Sequence, residues 1–326
     1  MHITDPLAHL DTTIGAYLAH FRSLGCGYEQ EERVLRLMRG FLSSKRACDL
    51  NQHNFDLWRR TFCNLHPNSR HTYERVVHNF CRYRQRTEPS CFLPDPTSFA
   101  RPIPHALPSL VEPEQIARML ALASTLRPTP ASPLRPAVMR LALVLLFTTG
   151  IRRGELLRLT LDDVESRAGV LRIRESKFHK TRWVPLSPSA HAELRRYLRI
   201  RRGQQLDTRP NAPLLCHRRR EGVSPYRPSG MYGSLHALFD AAGVHTSQGR
   251  CPRVHDIRHS FAARALLRWY EHHDDVQANL PKLALYMGHV SIASTAYYLR
   301  WMPAVLSHAS RRFERGFKHL VKGGAS

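Results

Sequence analysis

The chain is short of acid. Across 326 residues, 26 Asp and Glu stand against 49 Lys and Arg, which leaves a formal charge of +23. That imbalance argues against a basic or neutral partner surface and for a polyanion. No C-x-x-C pair occurs among the seven cysteines, Cys26, Cys48, Cys63, Cys81, Cys91, Cys216 and Cys251. An odd number without a pairing pattern excludes a disulfide scaffold, so reduced thiols in a cytoplasmic protein are expected. No stretch approaches the ~18 consecutive apolar residues of a membrane span. The start, MHITDPLAHL, lacks the positive segment and apolar run of a secretory signal. There is no metal-ligand motif, internal repeat or low-complexity tract, so neither a metal, a cofactor nor a repeat array is expected.

What is present is 42% apolar residues, enough for real cores, on a length that exceeds the usual limit of one core. Basic residues are spread along the chain, which suits a protein lying along nucleic acid. From Thr13 to Arg84 apolar residues recur at three and four, for example Ile14, Tyr17, Leu18, Phe21 and Leu24, then Val34, Leu35, Met38, Phe41 and Leu42. Shorter helical runs follow around Phe55, Trp58 and Phe62 and around Tyr73, Val76, Val77 and Phe80. A four-helix unit over residues 1–86 is expected, with Arg59, Arg60, Arg70, Arg75, Arg82, Arg84 and Arg86 on its polar faces for phosphate contact. Prolines crowd residues 87–110, which read as a semi-rigid linker. A second domain is expected over 111–326.

In that domain AVMRLALVLLFTTG is apolar nearly all round and reads as a buried helix. GVLRIRESKFHKTRWVPLSP has strand residues on both sides of a polar middle, which predicts a β-hairpin. Helices resume at Ala190, with basic loops between them. The fold class is therefore mainly α with a small hairpin or sheet, α+β.

Taken singly, the polar signals here have ordinary readings. TTGIRRGE places Arg152 and Arg153 at a helix start, HDIRHSFA puts His255 and Arg258 on one helical face, and YMGHVSIASTAYY places His289 beside a glycine. In this order, however, TGIRRGEL, ESKFHKTRWVPL, HDIRHSFA and MGHVSIASTAYY resemble the four boxes of the tyrosine recombinases, the phage-integrase and Xer-like family. The resemblance runs from about Val111 to Arg312. It implies a helical core-binding domain followed by a catalytic domain, and carries over Arg152, Lys177, His255, Arg258, His289 and Tyr298 as catalytic residues. The family's nine-residue step from the histidine of its GH box, here His289, selects Tyr298 over Tyr297 as nucleophile. The hairpin lacks the frequent GKG turn, so Lys180 stands as the alternative to Lys177.

These residue types fit the chemistry. Moving a DNA phosphodiester onto a phenol builds charge on the non-bridging oxygens, which Arg152 and Arg258 can fork onto while His289 donates a further hydrogen bond. His255 would take the phenolic proton, Lys177 would protonate the departing 5′ oxygen, and Glu155 would orient an arginine in support. Arg153, Arg253 and His259 are candidates for supporting or backbone contacts. The resemblance further implies double-stranded DNA with specific sites as partner and a homotetramer exchanging strands through a four-way junction, with an accessory factor or second recombinase compatible with the scheme. The protein would then be nucleoid-associated. VLSHASRRFERGFKHL reads as a helix that docks on its own core or on a neighbouring subunit. A type IB topoisomerase, a telomere resolvase and a catalytically vestigial DNA-binding protein are the alternatives.

Overall fold

The computed structural model describes residues 6–104, 108–174 and 181–288. The chain divides into two compact units, Met1–Ala106 and Leu107–Ser326.

The first unit is built from α1 (Ala8–Ser23), α2 (Glu29–Ser44), α3 (Gln52–Arg60) and α4 (Pro67–Arg84). The Asn51 side chain caps α3 by accepting from Asn54 N–H, and Pro67 opens α4 where a missing N–H costs nothing. Val34, Leu35, Met38, Phe55, Val77 and Phe80 meet in its core at 0–1% exposure. The proline-rich stretch carries a 3₁₀ turn, Pro96–Ser98. It nevertheless packs on this unit: Phe99 enters the core, and Glu74 accepts from Ala100 N–H at 2.7 Å.

Two of the arginines expected to face phosphate are held by acids of the unit instead, Arg84 in the interior and Arg59 half-buried. Arg84, 6% exposed, forks onto Asp49 at 2.6 and 2.7 Å and reaches Glu88. Arg59 donates to the fully buried Glu74 at 2.8 Å. Arg60, Arg75, Arg82 and Arg86 do lie exposed. A helical wheel cannot separate these two kinds of arginine, because the acids that capture Arg59 and Arg84 come from other helices and loops.

The second unit is organised around α6 (Arg135–Thr149), whose Val138, Met139, Leu141, Ala142, Leu143 and Leu145 are completely buried. Around it pack α5 (Pro113–Thr125), α8 (Pro188–Gly203) and α10 (Val254–Glu271). The other helices among the described residues are α7 (Arg153–Arg158), α9 (Pro228–Ala241) and α11 (Val276–Met287). β1 (Val164–Glu165), β2 (Val170–Ile173) and β3 (Arg182–Pro185) form an antiparallel sheet in that order. Its register pairs Leu171 with Val184 and Ile173 with Arg182. The predicted hairpin strands are β2 and β3; its tip, with Lys177 and Lys180, lies outside the described residues.

A second hairpin, β4 (Cys216–Arg219) with β5 (Gly222–Pro225), occupies a stretch read from the sequence as a basic loop between helices. Its arginines masked the strand signal. Among the described residues no helix is long and apolar enough to cross a membrane.

Candidate active site

Two glycines shape the approach to the site. Gly150 ends α6 in the left-handed region at φ +62, and a Cβ there would lie 2.4 Å from the Phe261 ring. The reversal it permits delivers Arg152 to the start of α7. Gly288 ends α11 at φ +67, where a Cβ would meet the Arg182 guanidinium at 2.8 Å.

α7 and α10 begin alike. In each, an arginine precedes the first turn and an acid three residues on accepts its backbone N–H: Glu155 from Arg152 at 2.9 Å, and Asp256 from Arg253 at 2.8 Å. The same carboxylates also take the guanidiniums of Arg152 and Arg253, each at 2.8 Å. Both acids are nearly buried, at 3% and 2% exposure.

Arg152, Arg153, Arg253, His255 and Arg258 line one cleft of about 470 Å³ together with Tyr232. Arg258 is 2% exposed and donates to the carbonyls of Gly150 at 2.5 Å and Met287 at 2.7 Å. Arg152 donates to the carbonyl of Gly288 at 2.8 Å. Arg153 stands over the Tyr232 ring at 5.7 Å. Three of the six expected catalytic residues, Arg152, His255 and Arg258, thus come together; Lys177, His289 and Tyr298 lie outside the described residues, as do Tyr297 and the expected terminal helix.

Sequence reasoning missed Arg182. It donates to both oxygens of Glu155, at 3.1 and 2.8 Å, and through Nε to the carbonyl of Tyr286 at 2.8 Å. Its side chain is 10% exposed. A signal was available: the period of two along β3 puts Arg182 on the buried face with Val184, and a charge aimed inward needs a partner. Arg182, Arg258 and Arg152 therefore grip three successive carbonyls, of Tyr286, Met287 and Gly288. This is the negative end of α11, immediately before His289.

The site's charge states follow. Burial would raise the Glu155 carboxyl, but the Arg182 fork and then the Arg152 contacts outweigh it and hold it at about 2. The enclosing walls of the cleft, then the Arg258 charge, lower the His255 imidazole to about 4. Its side chain is exposed at the cleft, and the shift favours the neutral base. His259, in edge contact with His255 at 4.6 Å, is lowered to about 4 by burial and then by His255.

The model of the phage integrase family matches residues 110–303. The chain belongs to that family. This phage-integrase member is 33% identical over 314 residues to "Putative integrase/recombinase y4rB" of Sinorhizobium fredii, covering 92% of this chain and 95% of that one. It is 27% identical over 210 residues to tyrosine recombinase XerA of Pyrococcus furiosus, covering 64% and 63%. Its fold resembles the Tn1549 transposon integrase solved with transposon right-end DNA, at TM-score 0.62 and 15% identity over 93% of this chain and 98% of that one. It also resembles the XerH site-specific recombinase bound to palindromic difH substrate, at TM-score 0.60 and 18% identity over 88% and 80%. At such identities the likeness is one of fold.

Proposed function

We propose that this phage-integrase member is a tyrosine-type site-specific recombinase that breaks and rejoins double-stranded DNA through a covalent 3′-phosphotyrosyl intermediate. One observation carries the reading: guanidiniums from two distant sequence boxes, Arg152 and Arg258, line a single cleft beside His255.

Tyr298 is the nucleophile. Its oxygen attacks the scissile phosphorus, the phenolic proton passes to the neutral His255, and the bond to the 5′ oxygen breaks as Lys177 supplies that oxygen's proton. Arg152 and Arg258 receive the charge that develops on the non-bridging oxygens, with His289 as a further donor. Arg182 and Glu155 are positioning residues: they fix Arg152 and the carbonyls in front of His289 without touching the phosphate. The 5′ hydroxyl of a second duplex then reverses the step, so the phosphodiester energy is kept in the protein link.

Recombining two duplexes requires four such sites, supplied by a tetramer working through a four-way junction. The helical unit over residues 1–86 adds phosphate contacts from Arg60, Arg75, Arg82 and Arg86, and residues 111–326 carry the chemistry.

Recovering and sequencing DNA covalently attached to the protein in cells tests this reading. Wild-type protein should yield a defined site, and Tyr298→Phe none. Equal recovery from both would remove the proposed nucleophile.

A further inference from the structure

We infer that Asp240, His245 and Cys251 form a binding site for one zinc-like divalent cation, apart from the catalytic cleft. Their donor atoms all lie within 4.8 Å of one another, with His245 Nε2 3.3 Å from Asp240 Oδ1. The loop between α9 and α10 is folded to bring them together. Gly243, at φ +62, turns the chain back at the end of α9, so that Val244 N–H donates to the carbonyl of Phe239 at 2.9 Å. Beyond it, Thr246 N–H donates to the carbonyl of Arg250 at 2.7 Å, which closes a tight turn and sets the flanking His245 and Cys251 side by side.

The donor set names the class of ion. A thiolate, an imidazole and a carboxylate suit zinc and its relatives, whereas magnesium and calcium prefer oxygen throughout. Three protein ligands leave a fourth, tetrahedral position for water. Asp240 and His245 are exposed and Cys251 is partly so, which gives an ion access. The position at the C-terminal end of α9 favours a cation. On binding, the thiol proton leaves to solvent and the sulfur lone pair forms the bond to the metal. Cys251 stands two residues before Arg253, which opens α10, so the ion would pin the chain where it enters the helix carrying His255 and Arg258.

The test is titration of Co²⁺ alone into the reduced full-length chain without DNA. One equivalent should produce tetrahedral d–d absorption and a thiolate-to-cobalt charge-transfer band, both displaced by Zn²⁺. Cys251→Ser should remove the band, and His245→Ala should weaken Zn²⁺ binding at least about 100-fold, beyond the effect of losing a ligand's outer partner. Zn²⁺ should raise the Tm of the wild type and of neither variant. Absence of the band, a band that survives Cys251→Ser, unchanged affinity in His245→Ala, or a Zn²⁺-dependent Tm rise retained by the variants would each overturn the assignment.

Discussion

Glu74 in the N-terminal unit and Glu155 in the C-terminal unit are both buried carboxylates, at 0% and 3% exposure, and both are answered by arginine. Glu74 takes Arg59 and the backbone N–H of Ala100, which fastens the proline-rich stretch to α4. Glu155 takes Arg152 and Arg182, whose remaining N–H groups reach the carbonyls of Gly288 and Tyr286. The first arrangement ends in a wall of the fold. The second ends in a cleft, with one guanidinium of the pair lining it. A buried acid with arginine partners is thus not itself a sign of an active site; where the arginines point next decides its role.

The largest break in that comparison should come from Arg258→Lys, which removes a planar fork that an ammonium cannot reproduce. DNA cleavage should fall about 100- to 1,000-fold, the usual effect of losing one preorganised donor. Single-turnover cleavage unchanged within tenfold would remove Arg258 from the phosphate.

Glu155→Gln and Glu74→Gln test the two arrangements against each other. Each removes a buried counter-charge from partly exposed arginines, and urea unfolding should show a loss of about 1–3 kcal/mol for either. Only Glu155→Gln should also lower cleavage per folded molecule. A similar loss of cleavage in Glu74→Gln would dissolve the distinction.

Two histidines of the second unit add a pH dependence of their own. His255 and His259 are lowered to about 4 in the folded chain, whereas an unfolded histidine titrates near ~6.5. Between those values the unfolded chain binds more protons, so these groups' contribution to stability is complete above about 6.5 and is lost as pH falls towards 4. Unfolding midpoints should drop from pH 7 to pH 5, and the drop should shrink in His255→Gln/His259→Gln. An unchanged drop in that double variant would assign the effect elsewhere. For the same reason cleavage by His255 as base should show no acid limb near ~6.5.

The smallest effects concern the surface of the helical unit. Arg75→Ala should reduce the slope of log affinity against log salt by about 0.9, the value of one lost phosphate contact. Arg84→Ala should leave that slope alone and lower the Tm, since Arg84 is occupied by Asp49 and Glu88. A changed slope in Arg84→Ala, or none in Arg75→Ala, would invert the assignment of exposed and internal arginines.

How much of this was legible beforehand depends on the range of the interactions. The helices of the first unit, the buried α6 and the strands β2 and β3 follow from local periodicity. Arg152, His255 and Arg258 are singled out by the resemblance to the family's boxes, whose order and spacing carry the signal, and the fold brings the three to one cleft. Arg182 is not singled out, because its partners lie 27 and 104 residues away, on Glu155 and Tyr286. The ion pairs of Arg59 and Arg84 were hidden for the same physical reason: Glu74 and Asp49 arrive by tertiary packing. The β4–β5 hairpin escaped because Arg218 and Arg219 replace the apolar residues by which a strand is usually recognised.

Which atom holds the DNA decides the mechanism. Protein trapped on DNA, digested with nuclease and mapped by mass spectrometry should retain a nucleotide on Tyr298, joined through its 3′ phosphate, with Tyr297 unmodified. A nucleotide on Tyr297 or on any other residue, or an adduct that persists in Tyr298→Phe, would contradict it.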